Sequence, residues 1–77
     1  MVDITPDVFR KIREVHRLPQ AYYGKLLGIS VAQVNRIERD KRRLTEAIKR
    51  RLIIEFMLTP ETLAELLEIH ERYKVKE

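Results

Sequence analysis

The chain has 77 residues, enough for one domain with a thin core and little room for an elaborate enclosed active site. It has no cysteine and only His16 and His70 as imidazoles, so it lacks a disulfide framework, thiolate chemistry and the usual ligands of a tetrahedral metal site; no metal or cofactor is expected. Its net charge of +4 is unevenly spread, since residues 1–51 carry 13 Lys+Arg against 6 Asp+Glu and residues 52–77 carry 3 against 6, a polarity that suits a face meeting phosphates and a tail that does not, and equally a solvated lysine- and arginine-rich surface.

The opening Met1-Val2-Asp3-Ile4-Thr5-Pro6 has an acid and a proline where a secretion signal has basic residues and then an apolar stretch. The most apolar run, Leu52 to Leu58, is broken by Glu55 and falls far short of the roughly 20 residues that cross a bilayer. An intracellular chain that does not enter a membrane is expected. Thr5-Pro6 reads as a helix N-cap followed by proline in the first turn, and Phe9, Ile12 and Val15 or His16 predict a first helix from about Pro6 to His16. Beyond Pro19, Gln20 to Leu27 form a second short helix with Tyr23 and Leu27 inward, stopped by Gly28. Ser30 caps a third helix ending near Arg39, with Val34 and Ile37 inward, Val31 a further inward candidate, and Gln33, Asn35 and Arg36 on other faces.

After the basic turn Asp40-Lys41-Arg42-Arg43, Thr45 caps a fourth helix carrying Leu44, Ile48, Leu52 and Phe56 at four-residue intervals, with Lys49, Arg50 and Arg51 as its basic face. Thr59-Pro60 repeats the cap-and-proline signature, and Leu63, Leu66, Leu67, Ile69, His70 and Tyr73 mark a fifth helix to about Lys74. The expected fold is all-α: a compact bundle of five helices in a single domain over residues 1–77.

Within it, Gln20 to Arg39 meets the needs of a helix-turn-helix, which joins two helices steeply through a tight turn. Gly24 lets the following helix approach, Gly28 takes positive φ in the turn, and Tyr23, Leu27, Ile29, Val34 and Ile37 supply the interior. Through Phe9-Arg10-Lys11-Ile12-Arg13, Leu18-Pro19-Gln20, Leu27-Gly28-Ile29-Ser30 and Val34-Asn35-Arg36-Ile37-Glu38-Arg39-Asp40-Lys41-Arg42, the chain resembles the lambdoid phage repressor and Cro family, the XRE-type helix-turn-helix family, over about residues 8–57.

The resemblance implies a bundle of four or five helices whose third helix enters the major groove. It implies further that Gln20 binds a phosphate and braces that helix, that Ser30 caps it near the DNA backbone, that Val31, Ala32, Gln33 and Arg36 face base edges, and that Arg13 and Glu38 form an internal ion pair. Three positions depart from the family: Tyr23 stands for leucine, Gly24 for alanine and Asp40 for the glycine that closes the third helix. Asp tolerates the left-handed conformation, and Gly24 reads as room made for a bulkier neighbour such as Tyr23.

At a DNA surface Arg36 can donate two parallel hydrogen bonds to guanine, unless it grips a phosphate instead. Gln33 can pair with adenine, and Val31 and Ala32 can pack on thymine methyls. Asn35, Lys41, Arg42 and Arg43, with Gln20 and Ser30, are the expected phosphate contacts. Leu63, Leu66, Ile69, His70 and Tyr73 on the fifth helix form a stripe wide enough to meet a second subunit as well as the core, or to serve the core alone.

The expected function is a sequence-specific transcriptional regulator in the cytoplasm of a bacterial host cell, a phage or mobile-element repressor of the Cro-like kind. Its expected partners are double-stranded DNA and a second copy in a homodimer on a near-palindromic operator, with no small-molecule substrate. The rival is a protein-interaction module, an antitoxin or antirepressor, using the fifth helix to bind a partner protein. An enzyme is disfavoured by the lack of a nucleophile with a base, a metal cluster or a phosphate loop.

Overall fold

Four of the five helices begin where a side-chain oxygen can satisfy amide groups that have no partner in the first turn. Thr5 accepts from the Val8 amide at 3.2 Å at the head of α1 (Pro6–Val15), and Thr45 accepts from Ile48 at 3.3 Å at the head of α4 (Glu46–Phe56). Ser30 heads α3 (Val31–Glu38), while α2 (Gln20–Leu27) follows Pro19 without a side-chain cap. At α5 (Pro60–Tyr73), Thr59 Oγ1 accepts from the Thr62 amide at 3.1 Å and Thr62 Oγ1 accepts from the Thr59 amide at 2.8 Å. The structure is a computed structural model that describes residues 3–73, and all five elements are α-helices. The expected end of the fifth helix at Lys74 lies outside the described residues.

The ends of the first four helices share one device. Leu18, Ile29, Lys41 and Leu58 each donate a backbone N–H to the carbonyl five residues earlier, and the residue before each is left-handed: Arg17 (φ 54°), Gly28 (φ 72°), Asp40 (φ 58°) and Met57 (φ 49°). This pairing satisfies orphan carbonyls and turns the chain sharply. Only Gly28 adopts the conformation without the steric cost that a Cβ imposes.

Helices α2 and α3 pack most extensively on each other, α1 lies against both α5 and α3, and α2 also meets α4. At the centre Phe9, Ile12, Tyr23, Val34, Ile37 and Leu52 are fully buried, joined by Ile4 from the segment before α1. Tyr23 is the largest of these. Its ring lies 4.8 Å from that of Phe9 and 6.1 Å from that of Phe56, and its hydroxyl donates to the Phe9 carbonyl at 2.7 Å. The phenol therefore fills the space of a core side chain without leaving its oxygen unsatisfied. Burial pushes its pKa well above the ordinary tyrosine value.

Several expectations need correction. Leu44 is buried but precedes the Thr45 cap, so it packs from the loop and not from the fourth helix. Val31 is half exposed instead of inward, and Ile29 is only partly buried. Helix α1 ends at Val15, with His16 as its cap residue stacked on Phe56 at 4.6 Å. Gly24 does not make room for Tyr23: a Cβ there would lie 2.7 Å from the Ile29 carbonyl oxygen and 3.2 Å from both the Ser30 carbonyl oxygen and Val34 Cγ2. The glycine admits the backbone of the turn into α3. Among the described residues no helix is long and apolar enough to cross a membrane.

Candidate nucleic-acid interface

Helix α3 buries Val34 and Ile37 completely, so its remaining side chains must flank or oppose the core. Val31, Ala32 and Arg36 are exposed, Gln33 and Asn35 half-buried. Arg39, Lys41, Arg42 and Arg43 follow in exposed positions around the left-handed turn at Asp40. The first turn of α3 is held by a reciprocal cap: Ser30 Oγ accepts from the Gln33 amide at 3.1 Å, and Gln33 Oε1 accepts from the Ser30 amide at 3.1 Å. Gln33 thus already uses its oxygen, and what remains wholly unengaged is its NH2 group. The expected two-point contact with adenine narrows to donation from Nε2 unless the cap is shared.

The other end of α3 is anchored by Glu38, whose side chain is only 5% exposed. Arg13 of α1 donates Nε and Nη2 to the two Glu38 oxygens at 2.6 and 2.9 Å, and its Nη1 to the Leu18 carbonyl at 2.9 Å. This planar, two-bond pairing is the geometry in which an arginine–carboxylate pair is strongest. The adjacent carboxylate raises the Arg13 pKa further, so the group stays cationic. Gln20, at the start of α2, donates Nε2 to Glu38 at 3.0 Å and accepts from Asn35 Nδ2 at 3.4 Å.

One cluster therefore ties α1, the loop after it, α2 and α3 together. It brings the Arg13–Glu38 pair into being and shows Gln20 as a brace of α3. Asn35, read from the sequence as a phosphate contact, has its amide turned to Gln20. The Leu18 carbonyl and Asn35 as members of this cluster were missed, although the three-residue spacing of Asn35 and Glu38 places them on one side of α3.

The distribution of ion pairs divides the surface. On α1 and α5, Arg10 pairs with Asp7 at 2.8 Å, Lys11 with Asp7 at 3.0 Å, and Arg72 with Glu68 at 2.9 Å. The Lys11 hydrogen bond, opposed by partial burial, holds the Asp7 carboxyl below its ordinary pKa. Lys49 and Arg51 of α4 pair with Glu46 and Glu55. Among the described residues Arg17, Lys25, Arg36, Arg39, Lys41, Arg42, Arg43 and Arg50 make no ion pair. All but Arg17 fall between α2 and the middle of α4, with five of them in α3 and the segment that follows it.

The fifth-helix stripe divides. Leu63 and Leu66 are buried in the chain's own core, and His70 Nε2 lies 2.7 Å from Glu14 of α1 with the imidazole 14% exposed. Ile69 and Tyr73 are exposed. Tyr22 is half exposed beside the buried Tyr23. No family model, curated protein or solved structure matches the chain.

Proposed function

We propose that Gln20 to Arg39 is a helix-turn-helix and that the chain is a sequence-specific regulator of transcription, a repressor of the lambdoid phage repressor and Cro kind, binding double-stranded DNA as a pair of copies. One observation carries the reading: the cations left without acidic partners gather on and after an exposed α3, while those of α1 and α5 are largely neutralised within the chain. Unpaired guanidinium and ammonium groups gathered in one stretch of exposed chain supply the counterion-releasing contacts on which affinity for DNA depends.

In this reading α3 lies in the major groove. Arg36 donates to O6 and N7 of guanine, Gln33 donates from its NH2 group, and Val31 and Ala32 pack on thymine methyls. Lys41, Arg42 and Arg43 hold phosphates, with Ser30 near the backbone at the other end of the helix. Gln20 and Asn35 set the angle of α3 through Glu38. Control of transcription follows from occupying a promoter, with no step of covalent chemistry.

Selection of bound duplexes from a random pool tests the proposal. Enrichment of a short, near-palindromic sequence is expected. On that sequence Arg36→Ala loses about 1–3 kcal/mol while leaving binding to random DNA little changed, and Arg42→Ala weakens both alike. A pool that shows no enrichment removes the proposed function, and equal losses from the two variants on every duplex remove Arg36 as a base reader.

A further inference from the structure

Each hydrogen bond around Glu38 takes its direction from its neighbour. A carboxylate only accepts, so Gln20 turns its NH2 group to Glu38, 3.0 Å away, and presents its oxygen elsewhere. That oxygen needs a donor, and Asn35 Nδ2 supplies it at 3.4 Å. The Asn35 amide is thereby oriented with its NH2 group towards α2 and its oxygen away from it. Among the described residues Asn35 Oδ1 receives no hydrogen bond, yet it is not buried. The exposed Val31 and Ala32 lie four and three residues before it and the exposed Arg39 four after, spacings that make neighbours on one side of a helix. The other side-chain acceptors of α3 are taken: Gln33 Oε1 accepts from the Ser30 amide, and the Glu38 oxygens accept from Arg13 and Gln20.

We infer that Asn35 reads a base and not a phosphate: its Oδ1 accepts a hydrogen bond from an exocyclic amine, N6 of adenine or N4 of cytosine. This rests on the placement of α3 in the major groove proposed above. Phosphate oxygens only accept, so the outward end of this amide has nothing to bind on the DNA backbone. In the major groove the donors are the amines of adenine and cytosine, whereas guanine and thymine offer acceptors and a methyl group. Arg36 and the NH2 group of Gln33 can select only acceptors. Asn35 adds the opposite requirement, and the chain from Arg13 through Glu38 and Gln20 sets it by fixing which end of the amide faces out.

The test deletes amines one at a time from a duplex enriched out of a random pool. Each adenine is replaced in turn by 2-aminopurine, which moves the amine to the minor groove and still pairs with thymine, and each cytosine by 2-pyrimidinone, which lacks the amine. At one position in each half of the site the replacement is expected to weaken binding of the unaltered chain at least about five-fold, and that of Asn35→Ala less than about two-fold. Comparing the two chains cancels any effect of the analogue on the duplex itself, and the analogue that responds names the base. Asn35→Ala should stay within about two-fold of the unaltered chain on random DNA. Three results overturn the inference and leave the proposed function standing: no amine deletion that weakens the unaltered chain, a loss that persists in full in Asn35→Ala, or an Asn35→Ala variant weakened alike on enriched and random duplexes, the mark of a backbone contact. A pool without enrichment removes both.

Discussion

Replacing Gly24 by alanine sets two effects of opposite sign against each other. Alanine in the middle of a helix is more favourable than glycine by about 1 kcal/mol, since it loses less backbone freedom on folding. Against this, the added methyl would stand 2.7 Å from the Ile29 carbonyl oxygen and 3.2 Å from that of Ser30. Both are backbone atoms of the turn into α3, so relief requires moving the turn. Overpacking of this kind costs about 1–3 kcal/mol, and a contact this short against main chain falls at the upper end.

The same movement strains the bond from the Ile29 amide to the Gly24 carbonyl, 2.9 Å long, which closes α2. The expected net loss is about 1–2 kcal/mol, or roughly 5–10 °C in Tm for a domain of this size. Urea unfolding followed by circular dichroism measures it, with the midpoint falling and the slope unchanged. A variant more stable than the parent would refute the close approach of α2 to the turn and restore helix propensity as the deciding effect.

Three further outcomes follow from the core and the helix ends. Tyr23→Phe is expected to cost about 1 kcal/mol at neutral pH through loss of the bond to the Phe9 carbonyl. Because burial raises the Tyr23 pKa, its stabilising contribution is present below the unfolded value of about 10 and falls by about 1.4 kcal/mol per pH unit above it; the phenylalanine variant should lack that share of the alkaline decline in a pH series of urea melts. Glu38→Gln removes the partner of a largely buried guanidinium, and a loss of about 2–4 kcal/mol is expected in the same melts. Arg17→Gly should raise stability by about 0.5–1 kcal/mol, because Arg17 holds φ at 54° with no ion pair to lose; a loss would show that its side chain is engaged in packing.

What the sequence made legible was local chemistry. Thr5-Pro6, Ser30, Thr45 and Thr59-Pro60 announce helix starts because a cap needs only its own next three residues. Gly28 announces a turn because its conformation is its own. Leu44 shows the limit of periodicity: it lies in register with Ile48 and Leu52 and is buried like Leu52, yet the helix starts after it. The roles of Gly24 and Asn35 depend on how closely α2 and α3 cross, which no single segment encodes. Arg17 and Met57 take left-handed conformations that their side chains do not favour, so tertiary packing must sustain them. The fifth-helix stripe carries no mark of where the chain's own core ends, and only burial separates Leu63 and Leu66 from Ile69 and Tyr73.

The central claim, that the unpaired cations on and after α3 meet phosphates, is tested most directly by the salt dependence of binding to duplex DNA. With Lys41, Arg42 and Arg43 each neutralising a phosphate, the logarithm of the binding constant should fall against the logarithm of salt concentration with a slope of about −3 per bound chain. Arg42→Ala and Arg43→Ala should each flatten it by about one unit. A slope near zero, or one that neither substitution moves, would contradict the account.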